Sequence, residues 1–419
     1  LSGGGVGLLQ KATIVIYVMA VILFSYREGL TVYAKGAALL VVLPFLFRLI
    51  MKGDRIFIPF EYRVVAGWFL VGMLASVLSS NLEVSFARML TIAQILPIAY
   101  VISSVIYKNG DGRFFWASIV VAGLLSTAIA TVDPVRFSTI DGRVFGTLGN
   151  ANTFAILLVG IVSIGMAIFA GSRQLSRQIL GVLLAGLFFY LVAKTGSRMG
   201  MLASLVSIVI AVWSYQYNRT GRRLSGSLYW LLIGGSIIAA SIAIAMSGDF
   251  ATRLNALFMA VESGDFSSVG DNSLRGRATL YKKAFELFLE SPLIGVGLDG
   301  FSTAGLNYRQ IGNNAHSNYM EILCSTGLLG ALFYFSIYVY WWVRCLALRK
   351  PLRGGPSVGR MTLLMSLAGA ILVIDLAFVT YYTKVTWLLF AGIIGEMQLL
   401  NRTVRNATPV QPFYVRVHR

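Results

Sequence analysis

Residues 153–200, TFAILLVGIVSIGMAIFAGSRQLSRQILGVLLAGLFFYLVAKTGSRMG, hold two apolar runs joined by a basic turn and closed by a tight one. A helix needs about 20 mostly apolar residues to cross a bilayer. The runs at about Thr153 to Ala170 and Ile179 to Ala193 approach that length and carry no charge inside. The same pattern extends in both directions. Before it come runs at about Leu8 to Tyr26, Gly36 to Phe47, Val64 to Ser80, Leu90 to Tyr107 and Phe114 to Val132. After it come Met199 to Tyr215, Leu228 to Met246, Ser317 to Val343, Met361 to Thr380 and Val385 to Leu400. About twelve spans fit. The composition agrees: of 419 residues, 57% are hydrophobic and 12% charged, with mean hydropathy +0.76. An ordinary soluble domain carries about 25% charged residues. The expected fold is therefore an all-α polytopic membrane protein.

The net charge of +18 would suit nucleic acid if it were clustered, but it sits on alternate connections. With the N-terminus inside, the basic links fall on the cytoplasmic side, which is positive-inside bias. Nucleic acid is not an expected partner. The expected organisation is helices 1–9 in residues 1–246, a large external segment over 247–316, helices 10–12 in 317–400, and a basic cytoplasmic tail, 401–419, suited to anionic lipid. No processing site for a cleavable signal and no internal repeat is visible.

The external side then holds the loop 133–152, the turn at Arg198 and the segment 247–316. Within the last, SLRGRATLYKKAFELFLESP reads as an amphipathic helix capped by Ser273, with Leu274, Ala278, Tyr281, Phe285 and Phe288 on its apolar face. Such a helix lies on the membrane or packs over the bundle, and Pro292 stops it. The glycines of PLIGVGLDGF permit a chain reversal toward Asn313, Asn314 and His316. Cys324 and Cys345 lie about 30 Å apart along one span, too far for a disulfide. No Cys/His cluster has metal-ligand spacing, so no metal and no cofactor is expected.

Four kinds of residue are candidates for chemistry. His316, in NNAHSNYMEILCSTGLLG, is the one histidine outside the extreme C-terminus, and imidazole is the side chain best suited to move a proton near neutrality. It would equally serve as a satisfied interfacial histidine. Gly327 with Gly330 offers a small face for another helix to approach, and Glu321, five residues on, points to a neighbouring helix face. Arg198 lies close to hydrocarbon, where an arginine is costly unless paired; snorkelling is the alternative. Arg275 and Arg277 oppose the dipole at a helix start and present forks suited to phosphate oxygens. They could also hold headgroups or pair with Asp271 and Glu286. Asn150 and Asn314 could bond sugars, with loop capping the alternative for Asn150.

The segment HSNYMEILCSTGLLG resembles the His-Ser, nine residues, Gly-x-x-Gly signature of bacterial O-antigen ligases, and related O-antigen polymerases carry similar versions. GTLGNANTFA, TGSRMGML and RGRATLYKKAFELFLESPLIGVGLDGF resemble the same superfamily in order. The resemblance is strong over about residues 140–335. It implies a metal-independent, inverting, GT-C-like membrane glycosyltransferase of the bacterial inner membrane, with a periplasmic site. Such a ligase transfers polysaccharide from undecaprenyl pyrophosphate to a lipid A-core acceptor. By the same resemblance His316 would be the essential histidine and Arg198 the arginine at the short turn, with Arg275 or Arg277 the loop arginine. A polymerase joining two lipid-linked repeats is the near alternative. A flippase or transporter is the distant one, and it would place binding groups near the bilayer midplane.

Overall fold

A computed structural model describes residues 7–25, 29–52, 57–79, 82–139, 142–218, 272–304, 314–353 and 357–407. Among them the chain is helical: α1 (Leu8–Phe24), α2 (Thr31–Lys52), α3 (Phe60–Leu78), α4 (Leu82–Asn109), α5 (Arg113–Val132), the short α6 (Pro134–Phe137), α7 (Ala151–Gly171), α8 (Leu175–Lys194), α9 (Arg198–Asn218), α10 (Asn272–Glu290), the short α11 (Gly300–Ala304), α12 (Asn318–Leu348), α13 (Val358–Ile374) and α14 (Lys384–Ala407). Eight of these are long and apolar enough to cross a membrane, and α1 and α13 are shorter apolar helices. Helices suit this setting because each satisfies its backbone polar groups internally. Every expected span outside residues 219–271 coincides with a helix. The span at Leu228 to Met246 and the tail beyond 407 lie outside the described residues.

Of the eight long apolar helices the most enclosed is α7, packed against α8, α9 and α13. Around it, α14 packs on α4 and α12 on α3. Contacts between helix ends and connections sort into two sets, as strict up-and-down alternation requires. At one end, Thr147 Oγ1 donates to Ile22 O at 2.7 Å, Val144 N to Lys194 O at 3.1 Å, Leu298 N to Ser76 Oγ at 3.0 Å and Asn318 N to Asp375 O at 2.8 Å. At the other, Arg48 donates to Gln10 at 2.9 Å, Arg344 to Asn401, and Arg360 pairs with Glu396 at 3.0 Å. Loop 133–152, the turn at Arg198, the end of α10 and His316 therefore share one end.

Several boundaries differ from those expected. The polar stretch NLEVSFARM is not a connection but the start of α4 from Leu82 onward. Leu82, Phe86 and Leu90 recur every fourth residue and face outward, while Ser85 turns into the bundle. Helix α13 stops at Ile374 rather than Thr380, because Asp375 takes Thr380 Oγ1 as a local partner at 2.6 Å. Ser273 lies inside α10 and not ahead of it. That helix packs on the bundle through Leu280, Ala284 and Leu287, against Phe301, Ala315 and Cys324, whereas Phe285 is half exposed. Its buried face is thus rotated about one residue from the expected one. Both cysteines are buried and free.

Candidate active site

Helix α12 begins immediately after His316, and its start is held by the loop 375–383. Asn318 Oδ1 accepts from Thr380 N and Tyr381 N, both at 3.1 Å, and Asn318 Nδ2 donates to Asp375 Oδ2 at 3.1 Å. Asp375 also accepts from Tyr338 Oη at 2.7 Å. A buried carboxylate is tolerable when its lone pairs are met in this way. The residues just before the helix form a tight turn in which His316 N donates to Asn314 Oδ1 at 3.0 Å, a side-chain mimic of a backbone turn. His316 itself has φ +50°. For a residue with a Cβ that conformation costs about 1–2 kcal/mol.

Nine residues into α12 the helix breaks at Gly327, with φ +62° and ψ −167°. The turn at residues 292–297 fills the break. Val296 N donates to Cys324 O and Gly297 N to Ser325 O, while Leu328 N and Leu329 N donate back to Pro292 O and Leu293 O, at 2.8 to 3.1 Å. Neither glycine at the crossing admits a Cβ: on Gly327 it would lie 2.4 Å from Leu293 C, and on Gly295 2.4 Å from Ser325 C. The expected close approach is therefore found at Gly327, where the partner is this turn and not a helix, while Gly330 packs on Thr326 of its own helix. Irregular backbone at such depth survives only when enclosed by protein.

The turn delivers Asp299, which with His316 makes up the non-glycine residues of positive φ among the described residues. Asp299 Oδ2 accepts from Arg88 Nη2 at 2.7 Å, and the Arg88 guanidinium stacks 3.6 Å from the Tyr382 ring centre. The Asn314 side chain lies close to Tyr382, which places this group beside the histidine turn. Glu321 Oε2 accepts from Ala315 N at 2.8 Å. The helix-face reading of Glu321 missed this, because the loop folds back over the helix start and brings a backbone amide to the carboxylate. Arg88, Asp299 and Tyr382 were not singled out from the sequence. For Arg88 the signal was available in the fourfold spacing of Leu82, Phe86 and Leu90.

Arg277, half-buried near the start of α10, lies within electrostatic reach of His316. Tyr281 Oη donates to Leu376 O at 2.9 Å and ties α10 across the loop 375–383. Burial first, and the Arg277 charge second, lower the His316 pKa below its ordinary 6.5. The imidazole is thereby neutral at pH 7 and able to accept a proton. The side chain of Arg275 lies outside the described residues, as does Asn313.

A second group of contacts at the same end joins the loop 133–152 to the turn before α9. Arg143, also unremarked in the sequence, donates from Nε to Thr195 O at 2.9 Å and from Nη2 to Asn152 Oδ1 at 3.2 Å. Asn150 Oδ1 accepts from Asn152 N at 2.8 Å and Thr153 N at 3.2 Å, so it caps α7. Arg198 opens α9, half-buried, beside Ser197, whose Oγ accepts from Gly200 N at 3.2 Å. Lys194 is exposed, 5.5 Å from the Tyr190 ring centre. The structure thus gathers Asn314, His316 and Arg277 in one cluster and Asn150 and Arg198 in another, both at one end of the bundle.

Comparison with known proteins bears on the same stretch. Residues 180–335 match a family model described as O-antigen ligase, a span that contains Arg198, Arg277, Asp299, His316 and the break at Gly327. No curated protein matches the chain. The apolar helices and the match together indicate a multi-pass membrane protein whose residues 180–335 are similar to the O-antigen ligase family.

Proposed function

We propose that this chain, whose residues 180–335 match the O-antigen ligase family model, transfers a polysaccharide from undecaprenyl pyrophosphate to a lipid A-core acceptor at the periplasmic face of the bacterial inner membrane. His316 acts as general base. It takes the proton from the acceptor hydroxyl as the oxygen attacks the anomeric carbon, and the bond to the pyrophosphate oxygen breaks with its electron pair. One in-line displacement inverts that carbon. Negative charge grows on the leaving pyrophosphate, where fixed guanidinium groups do work a metal ion would otherwise do. Arg198 takes that role, together with Arg275 or Arg277 from the start of α10. Asn150, exposed at the start of α7, offers its amide to a donor sugar, and Asn314 shapes the turn that carries the base.

The observation that carries this reading is the setting of His316: a half-buried imidazole on a turn with φ +50°, held by Asn314 Oδ1 at 3.0 Å, where burial and the Arg277 charge push its pKa down. A base beside an anion-binding group is what attack on a pyrophosphate-linked sugar requires. The test is to incubate purified protein with lipid-linked glycan and either lipid A-core or a second lipid-linked glycan. Product on lipid A-core supports the ligase. Lengthened lipid-linked chains alone make the protein a polymerase using the same groups, and liposome flux without glycosyl product removes both.

A further inference from the structure

Glu321 is fully buried in the first turn of α12. One carboxylate oxygen, Oε1, makes no hydrogen bond. Packing alone would favour an apolar side chain of similar volume there, because a buried carboxylate with an unmet oxygen is costly. What the carboxylate does hold is specific. Oε2 accepts from Ala315 N at 2.8 Å, while His316 N is taken by Asn314 Oδ1 at 3.0 Å. These two amides belong to the successive peptide planes that lead into His316. Both planes are therefore fixed, and with them the left-handed backbone from which the imidazole projects. The nearest countercharge does not redirect Glu321, since Arg88, within its electrostatic reach, is already bonded to Asp299 at 2.7 Å.

We propose that Glu321 is a positioning residue for His316: its carboxylate, through the Ala315 amide, sets the turn that aims the imidazole. This rests on the reading of His316 as the base. Two variants of nearly equal volume separate the hydrogen bond from packing. Glu321→Gln keeps an oxygen that can accept from Ala315 N, and Glu321→Met fills the same space without an acceptor. Full-length protein is assayed with lipid-linked glycan and whichever acceptor supports turnover, with kcat, donor KM and the unfolding midpoint measured separately.

The expected result is that Glu321→Gln keeps at least a third of wild-type kcat, and Glu321→Met loses tenfold or more with donor KM within twofold. In a His316→Ala background, Glu321→Met then changes the residual rate less than twofold, since there is no base left to position. The proposal is overturned if Glu321→Met turns over like wild type or Glu321→Gln is damaged equally. It is also overturned if Glu321→Met loses another tenfold on top of His316→Ala. Failure of the Met variant to fold where the Gln variant folds overturns it too, because the bond would then hold the fold and not the site. Wild-type kcat in His316→Ala itself is a different failure: it removes the base assignment whatever the Glu321 variants do.

Discussion

Glu396 and Glu321 are both buried carboxylates, at opposite ends of one bundle. Glu396 meets Arg360 Nε at 3.0 Å and Trp116 Nε1 at 3.2 Å, so it ties α5, α13 and α14 side chain to side chain. Arg48 with Gln10 and Arg344 with Asn401 repeat that pattern nearby. At the other end polar side chains grip main chain as well as one another. Glu321 holds the Ala315 amide, Asn318 the amides of Thr380 and Tyr381, and Arg143 the carbonyl of Thr195. Both described non-glycine residues of positive φ are there. One end uses polarity to fasten helices, the other to hold loops in shapes they would not otherwise keep, which is where a site is expected.

Substitutions can break or sharpen that division. His316→Ala should lower transfer by about 10²- to 10⁴-fold, the usual worth of a general base, with an unchanged unfolding midpoint. Loss of folded protein instead would make the histidine one more fastening. Gly327→Ala should cost about 2–5 kcal/mol, combining a left-handed residue with overpacking against backbone, and should appear as a lowered midpoint and poor yield. Arg360→Ala, at the fastening end, should cost about 1–2 kcal/mol for leaving Glu396 unpaired, a figure reduced because Arg360 is partly exposed. Its kcat should stay within twofold; a larger fall would mean the ends are not separable.

The smallest effect expected is on pH dependence. A base works deprotonated, so the acidic limb of kcat/KM should lie below 6.5, where burial and Arg277 hold His316. Arg277→Gln removes the second cause and leaves the first. The limb should therefore move to higher pH yet remain below 6.5 in a profile from pH 5 to 8. An unmoved limb would take Arg277 away from the imidazole.

Hydrophobic runs and their basic links made the helices legible, because crossing a bilayer constrains length and charge together. His316 and Arg198 stood out for a related reason, since a polar group at a span end contrasts with apolar neighbours, and the structure places both at one end of the bundle. Arg88 was hidden, since Asn81, Glu83, Ser85 and Arg88 in one short stretch look like a loop until the outward stripe of Leu82, Phe86 and Leu90 is traced. The partner of Gly327 was not legible. A glycine pair on an apolar helix permits either a second helix or a break, and only the position of residues 292–297, brought in from 30 or so places upstream, decides between them. The partner of Glu321 was not legible either, for it comes from the loop and not from its own helix.

The interlock of that turn with α12 also orders assembly. A hydrophobic segment entering a bilayer by itself can satisfy its amides only as an unbroken helix, so the stretch around Gly327 has reason to stay continuous until residues 292–297 arrive to exchange backbone partners with it. If the proposed transfer is right, it would depend on that splice, and a chain lacking it would be inert.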